Sequence, residues 1–138
     1  MEKDYKKIAE LLKNYPNFSK EYHYMIDEIR FERSQPSQNL GPFYYMGGKM
    51  DYIVIHMILN PSDPHHIEAL FITIMHELSH RIQAKKYPGE YDGEHGDLFK
   101  NVCSRLGLDP QGESEGKGER DFSKPYYKWV KNIIKNTY

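Results

Sequence analysis

The sequence predicts an α+β fold in which a small mixed or antiparallel sheet packs against a long helix. Two β-rich runs, residues 40–46 and 50–59, flank a pair of glycines and indicate the sheet. Apolar residues then recur every three or four positions from Ile67 to Ile82, which is the period of an amphipathic helix. Two further helical patterns follow towards the C-terminus, so a second helix and a C-terminal helix complete the expected architecture.

The N-terminal region begins with a helical pattern. Residues 3–13 carry apolar side chains at helical spacing, and the segment Asn14-Tyr15-Pro16 is expected to end that helix. Residues 18–29 indicate a helix that gives way to a strand near Asp27, because apolar and charged residues alternate from Ile29 onwards.

Gly47 and Gly48 predict a hairpin between the two β-rich runs, since glycines favour the tight turns that join antiparallel strands. The second run is apolar on both of its alternating faces. Such a strand is either covered on both sides or exposed to a binding partner. Residues 53–59 are therefore the candidate edge for an extended peptide that adds to the sheet as a strand.

The long helix is expected over residues 64–86, with Asp63 as its N-cap and Pro64 in its first turn. A second helix is expected over 95–106, and Gly107 follows it at the position of a C-terminal capping glycine. Residues 109–121 hold seven charged residues and three glycines, which is typical of a flexible linker. The last helix is expected over 124–138.

Composition limits the classes of function. The 138 residues suit one domain, and a net charge of −1 provides no overall field to attract nucleic acid or an anionic membrane. No apolar run is long enough to span a bilayer, and the N-terminus lacks the apolar segment of a signal peptide. The single cysteine, Cys103, excludes an internal disulfide framework. We therefore expect a cytoplasmic protein with no membrane partner, whose oligomeric state the sequence does not define.

The segment from His76 to His80 matches the pattern H-E-x-x-H. Residues four apart lie on one face of a helix, so the two imidazoles can bind one Zn²⁺. Glu77, beside the first histidine, can act as general base towards a water molecule that the metal activates. A helical projection places both histidines opposite the apolar stripe and beside the small residues Ala69 and Thr73. We therefore expect a cleft on that side of the helix.

A catalytic zinc site uses three protein ligands and keeps one position open. Four residues after the long helix could supply the third ligand: Glu90, Asp92, Glu94 and His95. We expect His95, because it shares the predicted apolar face of the second helix with Phe99 and therefore points towards the protein.

The stretch from Gly47 through Gly107 resembles a SprT-like metallopeptidase domain. In that family a glycine-rich turn leads into a strand and an H-E-x-x-H helix, and H-G-x-x-F opens another helix. The second motif corresponds here to His95-Gly96-Asp97-Leu98-Phe99. The resemblance implies a minimal zincin-like fold over residues 1–107, without the cysteine zinc ribbon of some relatives. Residues 108–138 then form a charged linker and an amphipathic helix that is packed on the domain or tethered to it.

The resemblance also implies that His76, His80 and His95 are the zinc ligands and that Glu77 is catalytic. The predicted function is that of a zinc-dependent metalloendopeptidase, which hydrolyses peptide bonds of protein or peptide substrates. The resemblance, and no other feature of the sequence, also allows DNA-associated proteins as substrates. The alternative is a non-catalytic, zinc-stabilised binding module in which a fourth protein ligand closes the metal site.

Two further sets of residues have candidate roles. The tail helix carries a row of lysines, here called the lysine row: Lys124, Lys128, Lys131 and Lys135. This row could contact nucleic acid, although the solvated face of a docked helix is the simpler interpretation. Four tyrosines are candidates for stabilising an oxyanion during catalysis: Tyr87, Tyr91, Tyr126 and Tyr127. The sequence does not choose between them.

Overall fold

The structure is a computed structural model of the 138-residue chain. It describes the backbone of residues 2–33, 43–45, 53–57, 64–90, 96–110 and 121–137. Side chains are described for residues 5–30, 64–90, 96–110 and 121–137.

The N-terminal region is built from short helical segments. Helix α1, Glu2–Glu10, continues into a 3-10 turn over Leu11–Asn14. The turn ends where Tyr15 becomes extended, with ψ of 122°, because the residue before a proline disfavours the helical conformation. A second 3-10 turn, Lys20–Tyr22, and helix α2, Tyr24–Asp27, then lead into the first strand.

Three short strands pair through their backbones in the order β1–β3–β2: β1 is Ile29–Arg33, β2 is Phe43–Tyr45 and β3 is Ile53–Met57. Strand β3 pairs parallel with β1 and antiparallel with β2. The predicted use of residues 53–59 as a free peptide-binding edge is therefore wrong over Ile55–Met57, where β3 pairs with β1 on one side and with β2 on the other. The turn with Gly47 and Gly48 lies outside the described residues.

The predicted fold class, α+β with a sheet as one of its layers, is wrong. Helix accounts for 74% of the residues whose side chains are described, and these residues include one short strand and no sheet. The paired strands hold only three to five residues each, and Ile29 is the one strand residue among the buried apolar side chains of the described part. The core is helical because the apolar residues that fill it lie mainly on helical stripes.

Helix α3, Pro64–Lys86, lies at the centre of this core and has the predicted bounds. Its apolar stripe is buried as expected: Ile67, Leu70, Phe71, Ile74, Met75, Leu78 and Ile82. Helices α4, Asp97–Leu106, and α5, Pro125–Thr137, both pack against α3. Helix α4 begins two residues later than predicted, with Gly96 as its N-cap. No helix in the described part of the chain is long and apolar enough to cross a membrane.

Aromatic side chains dock α5 on the core. The Tyr126 hydroxyl is fully buried and donates to the carbonyl oxygen of Phe71 at 2.5 Å. The Tyr15 ring contacts Tyr126 edge-on, with 5.0 Å between ring centroids, and the Tyr15 hydroxyl donates to the carbonyl of Leu106. All members of the lysine row are exposed, as a docked helix with a solvated face requires.

The predicted linker over residues 109–121 is anchored at both ends. Asp109 is buried, and its carboxylate accepts a hydrogen bond from the backbone N–H of Asp121. The backbone N–H of Asp109 in turn donates to the Tyr127 hydroxyl at 3.0 Å. Residues 111–120 lie outside the described residues.

Candidate metal centre

His76 and His80 lie on consecutive turns of α3, on the face opposite the buried stripe. Both side chains are half-buried, as are Ala69 and Thr73 on the same face. The two imidazole rings meet edge to face, with centroids 5.1 Å apart and an angle of 80° between their planes. The helix therefore brings the two predicted ligands together.

This separation fits a shared zinc ion. A zinc–nitrogen bond of about 2.0–2.1 Å places an imidazole centre about 3.2 Å from the metal, so a tetrahedral angle places two such centres about 5.2 Å apart. The observed distance of 5.1 Å agrees with that value. The separation of the two ring centres is therefore compatible with two ligands of one metal ion.

The turn that carries the motif is held rigidly by its surroundings. Met75, which directly precedes His76, and Leu78, which lies between the two histidines in sequence, are fully buried. The buried hydroxyl of Ser79 donates to the carbonyl of Met75 at 2.8 Å, within the same helix. The burial of Ser79 was not predicted, because a serine inside a helix gives no sequence signal for which face it occupies.

Helix α4 brings a third ring to the two imidazoles. The Phe99 ring stacks on His80, with 4.2 Å between centroids and an interplanar angle of 18°. The same ring meets His76 edge-on at 5.3 Å and 68°. Phe99 is fully buried, so the half-buried imidazoles lie against the wall of the core. The sequence predicted Phe99 as an apolar residue of the second helix, and the H-G-x-x-F motif was the available signal for its place beside the histidines.

The remaining predicted site residues have different outcomes. Glu77 is half-buried and follows His76 directly on α3. His95 lies outside the described residues, as do Asp92 and Glu94, while Glu90 is described and exposed. Within the described ranges, no group of three His, Cys, Asp or Glu residues is placed to hold a metal ion. The structure therefore brings two of the three predicted ligands together and leaves the third a prediction.

Two of the four oxyanion candidates are used elsewhere. The Tyr126 hydroxyl bonds the carbonyl of Phe71, and burial raises the pKa of Tyr126 well above its usual value. The Tyr127 hydroxyl is buried against the backbone of Asp109. Tyr87 is half-buried, and its hydroxyl donates to Asn101 of α4 at 3.1 Å. Tyr91 lies outside the described residues, so Tyr87 is the candidate that the described part retains.

Cys103 lies on α4 one turn after Phe99 and is fully buried. Burial raises the pKa of its thiol to about 12. Because the thiolate is the reactive form of cysteine, burial disfavours this residue as a nucleophile.

Comparison of the chain with models of protein families, with curated proteins and with solved structures found no match. The resemblance to SprT-like domains therefore stays a prediction that depends on the two sequence motifs.

Proposed function

We propose that the chain is a zinc-dependent metalloendopeptidase that acts on protein or peptide substrates. The observation that carries the proposal is the imidazole pair on α3, whose 5.1 Å separation suits two ligands of one zinc ion. Partial exposure of His76, Glu77 and His80 supports it, because a substrate must reach the metal. The proposal includes the cytoplasmic location expected from the sequence.

Each residue has a distinct role in this proposal. His76 and His80 hold the zinc ion together with His95 as third ligand. Bound zinc would lower the pKa of a water molecule and polarise the substrate carbonyl. Glu77 accepts the proton of the attacking water and delivers it to the departing amine nitrogen. The fixed turn of α3 holds Glu77 beside the ligand pair throughout.

Zinc stoichiometry tests the metal site. We expect about one zinc ion per chain by elemental analysis of the purified protein, with tight binding in a chelator competition assay. His76→Ala and His80→Ala should each lose this zinc. His65→Ala is the matched control, because His65 lies about 16.5 Å from His76 along the axis of the same helix. Full zinc retention by His76→Ala would place the metal elsewhere.

Peptidase activity separates the enzyme from the alternative of a zinc-stabilised binding module. Glu77→Gln should retain zinc and lose cleavage of a fluorescently labelled, denatured protein by about 10²- to 10⁴-fold, the usual contribution of a general base. Undiminished cleavage by Glu77→Gln would refute the assigned role of Glu77. A wild-type protein that holds zinc tightly and cleaves nothing would favour the binding module.

A further inference from the structure

We propose that Phe99 is a positioning residue of the metal centre, which holds the rings of both His76 and His80 in the orientation that binds the metal. This inference rests on the proposed function, since it concerns the same pair of histidines. Helix α4 then contributes to the site through the Phe99 side chain, whether or not a residue of α4 binds the metal.

The contact geometry supports this role, because one side chain touches both imidazoles. Phe99 lies nearly parallel to His80, at 4.2 Å between centroids, and edge-on to His76 at 5.3 Å. The two imidazoles also contact each other at 80°. Each of the three rings therefore contacts the other two, and together they form a ring cluster.

Stacking leaves the ligating atoms accessible. The lone pair of an imidazole nitrogen lies in the plane of the ring, whereas the Phe99 ring covers one face of His80 at an angle of 18°. The covered face is shielded from water while the ring edge stays available to a metal ion.

Ring contacts restrict the rotation of an imidazole. Rotation about the last side-chain bond of histidine has broad minima, so an unsupported ring samples orientations that direct its nitrogens away from the metal. A ring stacked at van der Waals distance blocks this rotation. The His80 ring is then already ordered in the folded protein, so metal binding loses less conformational entropy.

Phe99 is itself well fixed. It is fully buried on α4, together with Val102, Cys103 and Leu106 of the same face. The Cys103 thiol lies beside the Ser79 hydroxyl, so α4 contacts α3 immediately next to His80. Phe99 is therefore held by the core on one side and supports the histidines on the other.

Phe99→Leu tests the proposal, because leucine keeps an apolar side chain and removes the planar ring. Phe71→Leu is the matched control: Phe71 is also fully buried, but its ring packs against Trp129 at 6.1 Å. We expect the zinc dissociation constant to rise about tenfold or more in Phe99→Leu, as for other residues that orient metal ligands, and to change less than about threefold in Phe71→Leu. Equal effects in the two variants would show that Phe99 acts only through packing.

A second test is a nuclear magnetic resonance spectrum of the zinc-free wild type, which can be measured even if a variant does not fold. The stacked Phe99 ring should shift the ring protons of His80 upfield, and Phe99→Leu should remove this shift. A wild-type spectrum without the shift overturns the proposal, as does a normal zinc affinity in a variant that has lost it. Failure of wild type to bind zinc, with the shift present, refutes the proposed function and still supports the ring cluster.

Discussion

Replacing Gly107 with alanine tests how closely the end of α4 is joined to α5. Gly107 has φ of +75°, a left-handed conformation that costs a residue with a Cβ about 1–2 kcal/mol. A Cβ here would also lie 2.7 Å from the hydroxyl oxygen of Tyr15 and 3.2 Å from the Cβ of Pro125, the first residue of α5. The Tyr15 hydroxyl cannot retreat freely, because it donates to the carbonyl of Leu106.

The size of the effect follows from these contacts. Weakening the buried hydrogen bond of Tyr15 adds about 0.5–1.5 kcal/mol to the conformational cost. Gly107→Ala should therefore lower the free energy of unfolding by about 2–3 kcal/mol, given the left-handed penalty. Gly89→Ala is the matched control, because Gly89 has φ of +78° and a Cβ added there would meet no atom within 4 Å. It should show the conformational cost alone.

Urea denaturation of both variants measures the difference. Trp129 is the single tryptophan and lies 5.1 Å from the Tyr15 ring, so its fluorescence reports on this contact. At a constant slope with urea, the midpoint of Gly107→Ala should fall clearly below that of Gly89→Ala. Equal midpoints would refute the reasoning, since they would show that the close approach of Tyr15 and Pro125 adds nothing to the backbone cost.

Two further predictions concern pH and surface charge. The unfolded thiol of Cys103 ionises near pH 9 while the folded thiol, with a pKa of about 12, stays protonated. Stability should therefore fall as the pH rises from 9 to 12, and urea midpoints of Cys103→Ala should show a shallower fall. Glutamine at Lys124, Lys128, Lys131 and Lys135 should leave stability within about 0.5 kcal/mol of wild type, because all four are exposed. Loss of a steeply salt-dependent affinity for DNA in that variant would establish nucleic-acid contact, and unchanged affinity would exclude the lysine row.

Local signals predicted the helices well. The stripe from Ile67 to Ile82 repeats at the helical period, so its burial follows from the spacing of the residues alone. Gly107 follows α4 in the left-handed conformation that a C-terminal glycine predicts. Each of these features is determined by residues within a few positions of one another, and the same holds for the exposure of the lysine row.

The fold class depended on contacts that sequence patterns do not encode. Strand β1 pairs in parallel with β3, where Ile29 lies opposite Ile53. Alternation of apolar residues indicates that a segment is a strand and which face it buries, but it does not name the partner strand. The prediction accordingly treated β3 as an edge strand. It also overestimated the sheet, because the apolar runs were read at full length, whereas the strands of the described part contain at most five residues.

The metal centre likewise has one part that could be predicted from the sequence and one part that could not. The pairing of His76 and His80 on one face follows from the geometry of one helix. The contact with Phe99 joins two helices and depends on how α4 packs against α3. Sequence reasoning could assign Phe99 to a buried face, but it could not determine which side chains of α3 would meet it there.

The position of Phe99 couples metal binding to stability. A ligand that binds only the folded state stabilises it by about 2.7 kcal/mol at a hundred times its dissociation constant. Because Phe99 belongs to the core and also packs against both imidazoles, a change that loosens α4 must also loosen the histidine pair. Under the proposed function, zinc should then protect α4 against local unfolding more than it protects α1, which has no ring in this cluster. Uniform protection of both helices in hydrogen exchange would show that the metal acts on global unfolding alone.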